Sequence, residues 1–311
     1  MKKLLERMLV CAAVLCLLVP AACRQLDPGA SASFSAAAGE GSGPPPGPVS
    51  EPPEEVQLPP VQPPKPALET PGQSPEEQTP ESPGNHTLYI LMYHHFVPQD
   101  WPCNTWTVTG EKFRSDLEWL AEHGYTTVLP SQLAAGEPLP EKAVMLTLDD
   151  GYDSNYWLAY PLLQEFQSKA VISVIARYVE EQRFGYLTWN MCKVMAGSGL
   201  VEIGSHTYDA HPDGDRGIRR LEGESCEQYQ ARVLPDLQSS IDLIADNLGT
   251  APSFFAYPNG KTEVWARDFI RDRFAVTVTT RHGVTDISQG LYAMNRFTVS
   301  MGVSLSEILP E

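Results

Sequence analysis

Asp149-Asp150-Gly151 closes an apolar run, Ala143-Val144-Met145-Leu146-Thr147-Leu148, and the segment Gly204-Ser205-His206-Thr207-Tyr208-Asp209-Ala210-His211 follows farther along. Two adjacent carboxylates and two histidines suffice for a metal site with one carboxylate to spare. Three side chains hold an ion, one coordination position stays open to water, and the remaining carboxylate acts as a base. Such a set suits attack of water on a carbonyl group. Each half has an ordinary explanation by itself: Asp-Asp-Gly is good turn chemistry, and histidines five apart do not match a helical metal pair. A loop need not follow helical pitch, however, and both segments come directly after expected strands. It is the pair of segments that points to a site.

The elements that must hold these residues alternate in type. Apolar, β-rich runs predict strands over 88–93, 125–129, 143–148, 170–176, 200–203, 253–257, 275–279 and 292–299. Helical spacing predicts a helix that is capped by Thr109, carries Phe113, Leu117 and Leu120, and stops at Gly124. Further helices are expected over 156–166, with Pro161 bending it or marking its first turn, and over 189–196, 226–248 and 263–271. Strands that alternate with helices and are apolar throughout argue for parallel pairing with both faces covered. His94, Asp149, His206 and the Pro258 loop all fall at the C-terminal ends of strands, where a (β/α) barrel carries its chemistry. No internal repeat is evident.

The remaining sequence sets the bounds. Lys2, Lys3 and Arg7 precede a short apolar stretch from Met8 to Ala22, the pattern of an export signal over 1–23. Val19-Pro20-Ala21-Ala22-Cys23 resembles a bacterial lipobox, with Pro20 where Leu is usual, so Cys23 is a candidate for lipidation; ordinary cleavage near Ala21 or Ala22 is the alternative. Residues 24–84 hold 16 of the 28 prolines and, as their one aromatic residue, Phe34. Such a segment cannot bury enough surface to offset its ordering entropy and is expected to be a disordered spacer. Residues 85–311 are then expected to form a single domain. The chain's formal charge of −17 argues against nucleic acid as a partner. Cys103, Cys192 and Cys226 are the cysteines left in that domain, an odd number without metal-binding spacing, and are expected to be structural or free.

With both motifs in view, the chain resembles a known family. Leu146-Thr147-Leu148-Asp149-Asp150-Gly151 is similar to the T-F-D-D-G motif of the polysaccharide deacetylases (NodB-homology, carbohydrate esterase family 4), and Ser205-His206-Thr207 with His211 is similar to their second motif. The five-residue histidine spacing and the pair Tyr93-His94 resemble the branch that deacetylates poly-N-acetylglucosamine. The resemblance covers about residues 88–300. It implies a distorted (β/α) barrel, a divalent metal that is usually zinc, and an N-acetylated glycan as substrate. Carried across, Asp149 would be the general base, Asp150, His206 and His211 the metal ligands, and His94 the general acid that protonates the leaving amine. A hydrogen-bonded strand-end histidine is the plainer account of His94.

The third motif of the family departs here. Phe255-Ala256-Tyr257-Pro258-Asn259-Gly260 has Ala256 at the family's Arg position and Asn259 at its Tyr position. Asn259 could still offer a backbone N–H to an oxyanion, and Arg296 is a candidate to orient Asp149, with a structural salt bridge as the other reading. Trp189, Tyr208 and Pro258 are candidates for contact with a sugar; a core anchor is the competing account of Trp189. The expected function is removal of N-acetyl groups from an exopolysaccharide or from peptidoglycan by an exported protein, anchored to the membrane by lipid alone or secreted, with a monomer favoured. A glycan-binding module without turnover and an O-acetyl esterase are the rival readings.

Overall fold

The computed structural model describes residues 85–211 and 217–311. The signal-like segment 1–23, with Cys23, and the proline-rich segment 24–84 lie outside the described residues. Among those described, no helix is long and apolar enough to cross a membrane.

In chain order the elements are β1 (Thr87–Tyr93), β2 (His95–Val97), β3 (Thr107–Thr109), α1 (Gly110–Glu122), β4 (Thr126–Thr127), α2 (Pro130–Ala134) and β5 (Ala143–Asp150). A π-helical turn (Asn155–Ala159) leads into α3 (Tyr160–Glu165), then β6 (Ala170–Val174), α4 (Ala176–Glu180), α5 (Trp189–Gly197) and β7 (Val201–Ser205). The long α6 (Cys226–Leu248), β8 (Phe254–Ala256), α7 (Arg267–Arg273), β9 (Val276–Val278), β10 (Thr285–Asp286) and β11 (Phe297–Thr298) complete the set.

β1, β5, β6, β7, β8 and β9 lie side by side in that order, all parallel. The sheet curls, because the stretch from Met294 to Thr298 reaches both of its edges: Met294 bridges Val278 of β9, while Phe297 and Thr298 pair with Leu91 and Met92 of β1. This is the distorted barrel expected from the sequence. Strand 292–299 is shorter than its pattern suggested, because it bridges two strand edges instead of running along one.

All eight residues of β5 are buried, as a strand covered on both faces requires. Its side chains divide by alternation: Val144, Leu146 and Leu148 pack outward with Phe113 and Leu117 of α1, while Ala143 and Met145 face the interior with Ile90, Val171, Val276 and Met294. Thr109 caps α1 by accepting from the Lys112 amide, and Pro161 sits in the first turn of α3, both where the sequence put them. Ser225 and Gln228 form a capping box at the start of α6, and Gly249 ends it at φ 81°. The small β2–β3 pair, α2, α4 and β10 carry no sequence pattern long enough to announce them. Cys103, Cys192 and Cys226 all carry free thiols.

Candidate active site

The inward face of β5 continues past Ala143 and Met145 to Thr147 and Asp149, so an apolar interior turns polar at the C-terminal end of the strand. Register then brings neighbours to the same level: Asp149 lies beside Ser173 of β6, and Ser173 beside Gly204 of β7. Two residues beyond Gly204, His206 projects into the same region. Gly204 is required there, since a Cβ would lie 2.7 Å from the Phe254 ring and 2.9 Å from its carbonyl oxygen.

Asp149 accepts three hydrogen bonds from protein donors, which leaves acceptor capacity on a carboxylate with about four lone-pair sites. Arg296, itself buried, grips both oxygens: Nη1 donates to Oδ1 at 2.9 Å and Nη2 to Oδ2 at 2.7 Å. Ser173 Oγ donates to Oδ1 at 2.7 Å. The guanidinium is fixed in turn by the Thr279 carbonyl at 2.7 Å from Nε and by Thr147 Oγ1 at 3.0 Å from Nη1. Burial alone would raise the Asp149 carboxyl; the charge of Arg296, aided by His206, reverses that and holds it well below the usual carboxylate range. It is ionised at any working pH.

Asp150 is the opposite case. Its backbone is left-handed (φ 73°), an uncommon state for a residue with a side chain, and Gly151 follows at φ 75° with no room for a Cβ beside Val174. The strand alternation breaks here, so both carboxyl groups can face one site. Asp150 Oδ1 is buried without a hydrogen-bond partner among the described residues, and lies 3.3 Å from His211 Nε2 and 3.5 Å from His206 Nε2. Burial, then the charge of Asp149, pushes its carboxyl up to about 7, with Arg296 opposing.

The two imidazoles are kept neutral. His206 Nδ1 lies 2.7 Å from the Ala256 carbonyl. A carbonyl only accepts, so Nδ1 carries the proton and Nε2 keeps a lone pair directed at Asp150. Burial lowers His206 to about 3, and burial also lowers His211. The loop between them is tied down by α6, whose Asp236 accepts from the amides of Tyr208 (3.1 Å) and Asp209 (2.8 Å). One ligand atom from each of Asp150, His206 and His211 lies within 4.8 Å of the others. Two neutral imidazoles and one carboxylate, whose buried Oδ1 lacks a partner among the described residues, fit a divalent cation of the zinc type.

The other candidates are placed as follows. His94 falls in the break between β1 and β2, half-buried, its ring 4.8 Å from that of Trp106. Burial lowers it to about 4, against the pull of Asp149, while Arg296 and His211 push it further down. His95 faces elsewhere, stacked on Tyr152. Asn259 is left-handed (φ 54°) in the turn that follows β8, two residues beyond Tyr257 and three beyond the carbonyl that holds His206. Pro258 is buried. Trp189 opens α5, and its indole N–H donates to Glu180 at 2.8 Å. Tyr208 is half-buried within the histidine loop, its carbonyl accepting from the Arg177 amide.

Sequence reasoning passed over Ser173, Asp236 and Thr147. Ser173 had a legible signal, the one polar residue in the run Ala170–Val174. Asp236 had none, since an acidic residue on a long helix usually faces water.

A family profile described as polysaccharide deacetylase matches residues 136–274. A Bacillus subtilis protein assigned to the polysaccharide deacetylases, YxkH, is 31% identical over 222 residues, covering 70% of this chain and 73% of the relative. The chain belongs to the polysaccharide deacetylase family. The poly-β-1,6-N-acetyl-D-glucosamine N-deacetylase of Escherichia coli K12 is 27% identical over 275 residues; the match covers 76% of this chain but only 40% of that enzyme. Among solved structures, IcaB from Ammonifex degensii superposes with a TM-score of 0.60 at 27% identity, covering 70% of this chain and 94% of that one. The polysaccharide deacetylase fold thus accounts for the curled sheet, and the family match spans both the Asp149–Gly151 and the His206–His211 segments.

Proposed function

We propose that this protein is a metal-dependent N-deacetylase that removes acetyl groups from N-acetylglucosamine units of a cell-envelope polysaccharide. The observation that carries this reading is the division of labour between adjacent carboxylates: Asp149 held ionised by Arg296 and Ser173, Asp150 with a buried oxygen that lacks a hydrogen-bond partner among the described residues and lies between two neutral imidazoles. Asp150, His206 and His211 would hold the ion, with zinc as its identity. When bound, such an ion polarises the acetamide carbonyl and acidifies water.

The remaining work falls to the protein's own groups. Asp149, ionised and held in place by Arg296, takes the proton of the attacking water. His94 gives a proton to the departing amine; because burial lowers it to about 4, that proton arrives during the cycle and does not rest on the ring beforehand. The backbone N–H of Asn259 faces the developing oxyanion. Trp189, Tyr208 and Pro258 contribute to the walls against the sugar. In the same reading, residues 1–23 direct export, Cys23 carries a lipid anchor, and 24–84 form a spacer before the catalytic domain 85–311.

The test is acetate release from N-acetylglucosamine oligomers, from purified peptidoglycan and from an O-acetylated glycan by the zinc-loaded protein. Release from an N-acetylated polymer supports the proposal and identifies the preferred polymer. Release from the O-acetylated glycan alone makes the protein an esterase, and no release despite tight glycan binding makes it a binding module.

A further inference from the structure

His94 is the one residue between β1 and β2, and its backbone leaves the ladder that pairs β1 with β5 as far as Tyr93 and Leu148. A carbonyl released from a sheet ladder inside the protein needs another donor. Asn155, fully buried at the start of the π-helical turn, supplies it: Nδ2 donates to the His94 carbonyl at 2.8 Å. The neighbouring Ser154 Oγ accepts from the Phe96 amide at 3.1 Å. On the other side of His94, the Tyr93 hydroxyl donates to buried Asp116 at 3.0 Å. The backbone is therefore held at the candidate acid and two residues beyond it, and the side chain of the residue before it is fixed as well.

Two features say that the amide group of Asn155 is kept for this bond. Its Oδ1 is buried with no hydrogen-bond partner among the described residues, a cost that an apolar side chain of similar size would not carry. And the turn that presents it is π-helical over Asn155–Ala159; such single turns are frequent at functional sites.

We infer that Asn155 is a positioning residue for His94: its side-chain amide sets the strand break that aims the imidazole at the leaving group. The inference rests on the deacetylase reading and on the role proposed there for His94. Its chemistry gives it a signature. An amide substrate expels a basic amine and needs a proton donor, whereas p-nitrophenyl acetate expels a stabilised phenolate and does not. A misplaced acid therefore slows the amide and spares the aryl ester, while general damage to the site slows both.

The experiment compares full-length zinc-loaded wild type, Asn155→Ala, Asn155→Leu and His94→Ala on an N-acetylglucosamine oligomer and on p-nitrophenyl acetate, with bound zinc measured for each. The expected result for both Asn155 variants is a kcat on the oligomer lowered about 10- to 100-fold, as for a catalytic group displaced by about an ångström. KM, zinc content and aryl-ester turnover stay within about threefold of wild type, and His94→Ala shows the same selectivity with a larger loss. Asn155→Leu fills the volume and removes the orphaned oxygen, so it remains informative where the alanine variant folds poorly. Equal losses on the two substrates, or none on the oligomer, overturn the inference while leaving the deacetylase reading intact. A wild type that releases acetate from neither substrate overturns both.

Discussion

Two neighbouring regions of the barrel mouth treat the same functional group in opposite ways. Inside, the Asp149 carboxylate takes three hydrogen bonds, two of them from a guanidinium, and nothing further is needed to keep it charged. At the rim, one residue on, Asp150 has a buried oxygen without a partner, and burial beside Asp149 drives its carboxyl up to about 7. A fold that merely tolerated two buried acids would be expected to pair both. Pairing one and leaving the other between two neutral imidazoles is what a site does when the missing partner is a cation.

The largest effect is expected where the interior region is broken. Replacing Arg296 by Leu leaves Asp149 buried and unpaired, which should cost about 3–5 kcal/mol of stability and lower acetate release at least a hundredfold. Urea denaturation and steady-state assays check the two parts. Loss of activity without loss of stability would mean that the pair is less buried than described.

The rim region is tested by ion removal. Zinc at a hundred times its dissociation constant should stabilise the wild type by about 2.7 kcal/mol, and Asp150→Ala should show no such gain in a thermal melt at the same concentration. An equal gain in the variant would place the ion elsewhere.

Proton competition sharpens the contrast. With both histidines lowered and Asp150 raised to about 7, the group that must shed a proton to bind the ion near neutrality is Asp150. The protonated form dominates below that value, so zinc affinity should fall as pH drops from 7 to 5, by about tenfold per unit. Isothermal titration in two buffers of different ionisation heat would count the released proton. Affinity that does not change over this range would contradict the raised value.

Ser173→Ala should have the smallest effect. It removes one of the three bonds to Asp149 while Arg296 keeps both oxygens. A fall of about tenfold or less in kcat is expected, equivalent to about 1.4 kcal/mol. A collapse of activity would show that the serine, not the arginine, governs the base.

Much of this contrast was legible in the sequence, for a physical reason. Strand alternation and the apolar run before Asp149 dictate which face meets the interior, and α1 and α6 have caps and periodicity that local chemistry makes unambiguous. Arg296 was readable only as a candidate, because nothing local says that 147 residues of chain separate it from a bidentate contact. The left-handed turn at Asp150 was hidden as well: Asp tolerates that conformation better than most residues but seldom adopts it, and Gly151 beside it seemed sufficient for the turn. The two-residue β10 and the π-helical character of the turn before α3 were out of reach, since elements so short owe their conformation to what packs against them. The anchoring of His94 by Asn155 depends on that turn and was invisible for the same reason.

The most direct test of the division between the two carboxylates is to measure bound zinc and acetate release together in Asp149→Asn and Asp150→Asn. The account predicts that Asp149→Asn keeps about one zinc per chain yet loses turnover by a factor of 10² to 10⁴, while Asp150→Asn loses the metal and the activity together. An Asp149→Asn protein that no longer holds zinc, or an Asp150→Asn protein that holds it and still releases acetate, would contradict the account.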